Sequence, residues 1–447
     1  MRLAYKYRAY PTPATIKWLN KARYLEAMLF NGLVEYAHYS FQKRREAEAL
    51  GLMKPKASRQ EIDSLPQPLK DLTRGVRYMG LTYLIPAVKK EFPEMTSYPS
   101  GVWLRVCERV DRAFSSWFKE IKSGKNKNKS TGHPRLAKFN NVSSVMFDSK
   151  GYTLQDGVVL FTKNKTVVAK IKLAYDRPIQ GKIKTMTVSC DKVNKWWVSF
   201  SCEDVPQPDQ ELTGRAIGID VGLKNIIADS DGRIVKNPNF KILRKPNGKV
   251  DNLAKSISIK QAKLDAFKNS FKHEARSAEK IIKYKRCDRI RRGINRHYAK
   301  ISNIRSDWAN KEALYYATNY DVIVMEKLQI SGSMVKKKPL DKLQETNGTR
   351  RAEKLNHRSV TQAGWYQLKS SIKNAAARLG KTFIEVNPAN TTKKCSHCGN
   401  ISKKPIPLDQ RVYTCSGCGL EIDRDINAAI NIKRRGMESI RTSQQVA

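Results

Sequence analysis

The sequence predicts an α/β multidomain protein. A small N-terminal β-barrel has a helical region inserted into it, and an α/β unit follows whose apolar strands end in carboxylates, joined to a four-cysteine metal ribbon. Three observations carry this reading. The hydrophobic period changes from two to 3.6 and back to two over roughly the first 200 residues. Short apolar runs ending on Asp220 and Glu326 then alternate with helical patterning. Finally, Cys395/Cys398 and Cys415/Cys418 stand directly ahead of Asp423 and Asp425.

The 447 residues suffice for about three domains. Lys and Arg number 85 against 41 Asp and Glu, a net charge of +44, which points to a polyanionic partner. A membrane-spanning role is excluded, because every apolar stretch is short and broken by Lys, Pro or Gly. The opening MRLAYKYRAYPTP has no apolar segment of the signal-peptide kind, so a cytoplasmic, nucleoid-associated prokaryotic protein is expected. Outside the two pairs the cysteines (Cys107, Cys190, Cys202, Cys287) are scattered singly, as in a reducing compartment. Cys190 and Cys202 flank a predicted hairpin and are expected as neighbouring buried thiols, not a disulfide.

In chain order, Arg2 to Arg8 alternates Leu3, Tyr5 and Tyr7 with basic residues, a half-buried strand closed by Pro11 and Pro13. Ala14 to Lys122 is helix-patterned, with Pro55, Pro66, Pro68 and Pro86 dividing it into several helices. Its stripe Trp103, Val106, Val110, Phe114, Trp117 reads as core packing. Ser123 to Lys138 is a Gly-containing loop with Lys125, Lys127, Lys129, Arg135 and Lys138 and no acid; it either grips phosphates or is simply a solvated basic loop. Period-two runs follow at 158–161, 166–171, 184–190 and 196–202, the last two forming a hairpin. Together with the first strand they are expected to close the barrel, and Pro206 and Pro208 mark a boundary.

The second half opens with a meander: 216–219 ending on Asp220, then 226–228, then 233–235. From Leu253 to Ala317 the pattern is helical. Between Lys268 and Lys300 there are twelve Lys/Arg against three Asp/Glu, so one face, including Lys285, Arg286, Arg289, Arg291 and Arg292, is expected to meet phosphates. A buried strand, 322–325, ends on Glu326. Ser331 to Ser359 is a polar, basic, lid-like loop; a helix at 365–379 and a strand at 382–386 lead to the cysteines.

The spacing C-x2-C-x16-C-x2-C, with Gly399 and Gly419 after the pairs, predicts one structural zinc on Cys395, Cys398, Cys415 and Cys418. His397 between the first pair reads as a surface residue. Asp220, Glu326 and Asp425 are individually ambiguous, and Asp425 taken alone reads as a helix cap. Together, two strand-end carboxylates and one at a helix start would repel one another unless cations hold them. Oxygen ligands suit Mg²⁺ or Mn²⁺, and two such ions serve phosphodiester hydrolysis.

GIDVGLKN, VMEKL, NPANTTKKCSHCG and CSGCGLEIDRDINAAINI resemble the RuvC nuclease core and zinc ribbon of the TnpB family, transposon-encoded RNA-guided nucleases related to compact type V CRISPR effectors. AYKYRAYPTP and GHPRLAKF resemble the family's N-terminal half. The resemblance implies an RNase H-like RuvC nuclease domain with Asp220, Glu326 and Asp425 as catalytic acids. Asp425, not Asp423, fits because the third acid precedes an x-Asn-Ala-Ala run. It further implies this organisation: a wedge barrel (1–13 and 139–212) with the recognition lobe 14–138 inserted; a RuvC domain 213–388 with lid loop 331–359; a target-nucleic-acid-binding zinc ribbon 389–422; and a C-terminal RuvC segment 423–447. The implied partners are a guide RNA, from a transposon end or a CRISPR locus, and double-stranded target DNA beside a short flanking motif, with one or two protein copies per guide. Lone Cys107 in the N-terminal part leaves no second zinc module there, which favours the transposon side of the family. Other readings are an RNase H-like DNA transposase and a non-catalytic RNA-guided repressor or RNA-binding protein.

Overall fold

The computed structural model describes residues 1–54, 60, 64, 77–123, 134–138, 142–208, 211–238, 240, 242–244, 250–274, 277–327, 363–402 and 410–446. The chain forms two compact units, Met1–Pro206 and Gln207–Ala447.

In the first unit, β1 (Leu3–Pro11) joins β2 (Ser144–Asp148), β3 (Tyr152–Gln155), β4 (Val158–Lys163), β5 (Thr166–Leu173), β6 (Lys182–Cys190) and β7 (Trp196–Glu203) in one sheet ordered β2-β6-β7-β1-β5-β4-β3. Every ladder is antiparallel. The two edge strands, β2 and β3, are consecutive in the chain. Laid flat, seven strands would hold these edges six spacings of about 4.8 Å apart, roughly 29 Å. The link 149–151 spans at most about 15 Å, so the sheet must curl. The curled interior buries Tyr7, Phe147, Phe161, Met186, Val188, Val198 and Phe200, the residues at alternate positions.

Between β1 and β2 lies the helical insertion. The long helix α1 (Pro13–Ala49) starts at Pro13, with the Thr12 hydroxyl accepting from the Thr15 amide at 3.2 Å. Its Trp18 stacks on Tyr98 (4.7 Å between ring centres) and reaches Phe161 (5.1 Å). Two short helices, α2 (Tyr78–Thr82) and α3 (Ile85–Glu91), precede α4 (Ser100–Ser123). The stripe Trp103, Val106, Val110 and Phe114 on α4 is fully buried, as core packing requires. Asn31 of α1 ties down the strap 134–138: its amide donates to the Ala137 carbonyl (3.1 Å) and its oxygen accepts from the Ala137 amide (2.7 Å). The expectation that Cys190 and Cys202 adjoin is corrected: Cys190 sits opposite Trp196 and Cys202 opposite Ile183, towards opposite ends of the β6–β7 hairpin. Both are free thiols.

The second unit is built on a five-stranded sheet of β8 (Ala216–Asp220), β9 (Asn225–Asp229), β10 (Ile234–Lys236), β13 (Val322–Glu326) and β14 (Thr382–Val386), ordered β10-β9-β8-β13-β14. The first three form the antiparallel meander; β8, β13 and β14 run parallel. This is the layout of an RNase H-like sheet. The central runs Ile217–Ile219 and Ile323–Met325 are buried on both faces and hence continuously apolar. A hairpin, β11 (Ile242–Arg244) and β12 (Val250–Asn252), then leads into α5 (Leu253–Asn269) and α6 (Ala278–Asn319). Cys287, Ile294 and Ile301 on α6 are buried at seven-residue spacing, a narrow seam that leaves the other faces of this helix charged. After β13 the chain crosses through α7 (Trp365–Arg378) to β14. There Lys381 is buried against Asp321, with Nζ 2.7 Å from Oδ1.

The C-terminal helix α8 (Arg424–Val446) packs on the sheet by an unusually close approach. A Cβ on Gly218 of β8 would lie 2.1 Å from the Ala429 carbonyl oxygen, and one on Gly436 would lie 2.5 Å from the Val324 side chain. Only glycine permits this depth. The described residues contain no helix long and apolar enough to cross a membrane.

Candidate active site and metal centre

β8 and β13 are parallel neighbours with Met325 opposite Ile219, so Asp220 and Glu326, each one residue further on, finish adjacent strands at the same sheet edge. The carboxyl ends of parallel strands are where open α/β sheets bind ligands. The close packing of α8 brings its first turn, carrying Asp425, to that edge. Asp220 responds electrostatically to both other acids: its carboxyl is pushed up to about 8 by burial, then by the charges of Glu326 and Asp425. Burial also raises Glu326, against the Thr391 hydroxyl and Arg435, which favour its ionised form.

Asp423 is the helix cap: its Oδ1 accepts from the amides of Asp425 (2.8 Å) and Ile426 (3.2 Å). The cap expected of Asp425 seen alone is thus supplied two residues earlier, and the buried Asp425 carboxylate is turned to other partners. Asn225 Nδ2 donates to its Oδ2 at 3.1 Å, Arg411 Nη1 lies 3.4 Å from the same oxygen, and Arg424 Nε lies 3.6 Å from Oδ1. The Val221 amide donates to Asp220 Oδ1 at 2.9 Å, and the Thr391 hydroxyl contacts Glu326 Oε1. Sequence reasoning assigned no role to Asn225, Thr391 or Arg411. Asn225 and Thr391 lie inside the motifs GLKN and NTTKKC, but only the fold shows what they touch.

The four cysteine sulfurs converge, all within 4.8 Å of one another. Cys395 and Cys418 Sγ are 3.7 Å apart, and Cys398 and Cys415 Sγ 3.6 Å. Zinc–thiolate bonds of about 2.3 Å at tetrahedral angles put sulfurs about 3.8 Å apart, so the set fits Zn²⁺ closely. Two turns shape it. Gly399 and Gly419 adopt φ of 80° and 74°, a region that glycine occupies freely, and their amides return to the Cys395 and Cys415 carbonyls. The amides of His397 and Gly417 point at the Cys395 and Cys415 sulfurs, at 3.4 and 3.3 Å. The Gly417 contact leads in holding the Cys415 thiol down, while the neighbouring Cys418 thiol is pushed up. His397 is exposed, as expected.

Helix α8 grips this ribbon. The wholly buried Asn427 accepts from the Ser396 amide (2.8 Å) and donates to the Lys394 carbonyl (2.9 Å). Asn431 donates to the carbonyls of Thr391 (3.0 Å) and Lys394 (2.6 Å), and Arg434 donates to Ser396 O at 2.5 Å.

Of the basic candidates, Lys285, Arg286, Arg289, Arg291 and Arg292 are exposed on α6. Arg291 pairs with Asp288, and Arg286 lies over the Phe267 ring at 4.9 Å. Arg135 is exposed on the strap anchored by Asn31. Lys125, Lys127 and Lys129, and the lid-like 331–359, lie outside the described residues.

Residues 199–337 match the family described as "Probable transposase" (OrfB_IS605), and residues 365–432 the family described as "Cas12f1-like, TNB domain". The chain is 24% identical to a "Putative RNA-guided DNA endonuclease" of Streptomyces pristinaespiralis, over 98% of this chain and 90% of that one. It is 23% identical to "Putative RNA-guided DNA endonuclease InsQ" of Escherichia coli K12, over 76% and 75%. It is 21% identical to "CRISPR-associated endodeoxyribonuclease Cas12f1" of Sulfoacidibacillus thermotolerans, over 60% and 58%. The first family segment carries Asp220 and Glu326, and the second the four cysteines and Asp425, so the chain carries an IS605-type transposase segment and a Cas12f1-like segment and is similar along most of its length to proteins named as RNA-guided DNA endonucleases.

Proposed function

We propose that this protein is an RNA-guided DNA endonuclease that cleaves duplex DNA beside a short flanking motif, with Asp220, Glu326 and Asp425 as its catalytic acids. The observation that supports the reading is that Asp220 and Glu326 end neighbouring parallel strands and that Asp220 feels the charges of both Glu326 and Asp425. Burial and mutual repulsion raise Asp220 there, an arrangement that calls for cations. The three would hold Mg²⁺ or Mn²⁺, and two bound ions supply activation of a water and stabilisation of the leaving oxygen in an in-line phosphodiester displacement. The protein's own part is to fix the acids on rigid elements, two strand ends and a capped helix, and to shield them from bulk water.

The cysteines would hold one Zn²⁺ in a closed structural site, and the ribbon joins the acids through α8. A guide RNA and target DNA fit the +44 charge better than a single base-reading helix would, since A-form backbone recognition needs diffuse cations. The exposed α6 cations and Arg135 are assigned to that backbone, and Lys125, Lys127 and Lys129 extend the same basic stretch in sequence.

The test is to express the chain with its native flanking DNA, sequence the RNA that copurifies and challenge the complex with a plasmid library matching the RNA's variable end in Mg²⁺. Guide-dependent cutting, lost in Asp220→Ala, is expected, together with one zinc per chain by native mass spectrometry. A defined RNA without any cutting would favour a guided repressor, and joining of transposon ends without RNA would favour a transposase.

A further inference from the structure

Each of the three acids has one oxygen hydrogen-bonded to a neutral donor of the protein; Asp425 also has Arg411 beside that oxygen and Arg424 Nε 3.6 Å from the other. The pattern is Val221 N–H on Asp220 Oδ1, the Thr391 hydroxyl on Glu326 Oε1, and Asn225 Nδ2 on Asp425 Oδ2. The first donor is backbone adjoining its own acid. The other two are side chains brought from elsewhere in the sequence, and the activity proposed above leaves both without a task.

We propose that Thr391 and Asn225 are positioning residues. Each fixes one oxygen of a catalytic carboxylate so that the other is presented to a divalent cation, and the zinc ribbon sets Thr391 in place. The inference rests on the assignment of Glu326 and Asp425 as the acids.

Thr391 is almost wholly buried. Its hydroxyl carries one proton and lies beside two acceptors, Glu326 Oε1 and the Pro388 carbonyl at 3.1 Å. Against an ionised Glu326 that proton goes to the carboxylate, because a charged acceptor makes the stronger bond. Glu326 is then held by one oxygen and cannot turn freely about its last torsion. Asn225 acts alike on Asp425: its amide offers two donors, one of which meets Oδ2.

Thr391 is itself held from the ribbon side. Its carbonyl accepts from Asn431, which also binds the Lys394 carbonyl, and Asn427 binds the backbone on both sides of Cys395. A set of hydrogen bonds therefore links the backbone that flanks Cys395, through two buried asparagines of α8, to the carbonyl of Thr391, the residue whose hydroxyl meets Glu326. Neither asparagine can be replaced by an apolar residue without orphaning buried backbone groups. On this view the structural zinc contributes to the shape of the nuclease site without touching substrate.

The experiment uses the full-length chain with its copurified RNA. Mn²⁺ binding is measured by electron paramagnetic resonance for the wild type and for Thr391→Val, Thr391→Ser and Asn225→Ala. Zinc content, melting temperature and the Mn²⁺ midpoint of cleavage are recorded alongside. Donors behind metal-ligating carboxylates are typically worth 10- to 100-fold in metal affinity. Thr391→Val, which keeps the shape and loses the hydroxyl, should weaken Mn²⁺ binding by about that factor with zinc retained. Thr391→Ser should restore it, and Asn225→Ala should shift Mn²⁺ binding in the same direction as Thr391→Val. Unchanged Mn²⁺ affinity in Thr391→Val overturns the proposal. So does a variant that loses zinc and is not rescued by serine, since Thr391 would then serve only the ribbon's folding. A wild type that binds Mn²⁺ but cuts nothing would count against the nuclease reading and leave the metal comparison intact.

Discussion

Gly218 is the position where one methyl group should separate folding from catalysis. Replacing it with alanine places a carbon 2.1 Å from the Ala429 carbonyl oxygen and 2.5 Å from the Lys433 amide nitrogen. Both are backbone atoms in the middle of α8 and cannot rotate away. Ordinary carbon–oxygen contact begins at roughly 3.3 Å, so the helix must retreat from β8 by about 1 Å. Overpacking of this kind costs about 1–3 kcal/mol, which a domain of ordinary stability survives. Catalysis is less forgiving: Asp425 sits one turn before Ala429, and a misplacement of about 1 Å costs on the order of 10²-fold in rate. Gly218→Ala should therefore fold, bind RNA and keep its zinc, yet cut a guide-matched plasmid about a hundredfold more slowly. Gly32→Ala on α1 is the control, since no atom lies within 4 Å of the added carbon and its φ is ordinary; it should gain about 0.5–1 kcal/mol. Wild-type cutting by Gly218→Ala would show that the packing of α8 on β8 does not set the position of Asp425.

Asp425→Ala should abolish cleavage, whereas Asp423→Ala should only lower stability by about 0.5–2 kcal/mol, the worth of a helix cap; the reverse result in a plasmid assay would shift the third acid to Asp423. Lys381→Met removes the cation from the half-buried Asp321, which keeps the Gly214 amide on Oδ2 at 2.6 Å, and should cost about 1–3 kcal/mol in chemical denaturation. Glu26, buried on α1, has its carboxyl pushed up to about 7 by burial, against the pull of Arg109 at 3.0 Å. Its raised value means the protonated form is the one folding favours. The associated stability is complete below about pH 4.5 and is lost as pH rises through about 7. Glu26→Gln should therefore melt higher than wild type at pH 8, by up to about 3 kcal/mol, and equal it at pH 4.5; no pH dependence of the difference would refute this.

Most of the secondary structure was legible because burial imposes a period. Strand 382–386 and helix 365–378 fall where their patterns place them, and Asp220 and Glu326 end their strands as the apolar runs indicate. β2 and β3 escaped notice for a physical reason. They are short edge strands whose faces mix polar and apolar residues, and what defines them is pairing with β6 and β4, distant in the first case. The placing of Cys190 and Cys202 failed likewise, because a hairpin's register, not its ends, decides which residues meet.

The site was legible as residue types and illegible as a set of contacts. Each acid alone has an ordinary explanation, and the sequence cannot say that Asp423 takes the capping bonds; that follows from the backbone geometry at the start of α8. The donors are harder still. Thr391 lies 65 positions from Glu326, and Asn225 lies 200 positions from Asp425. No local pattern links them, since their proximity is created by two independent events: the parallel pairing of β8 with β13, and the seating of α8 on both through Gly218 and Gly436. The signal of that seating which the sequence does carry is glycine. A glycine inside an apolar strand, as in Ala-Ile-Gly-Ile-Asp, weakens the strand unless something must come close to it. Here what comes close is the helix that carries the third acid and grips the metal ribbon.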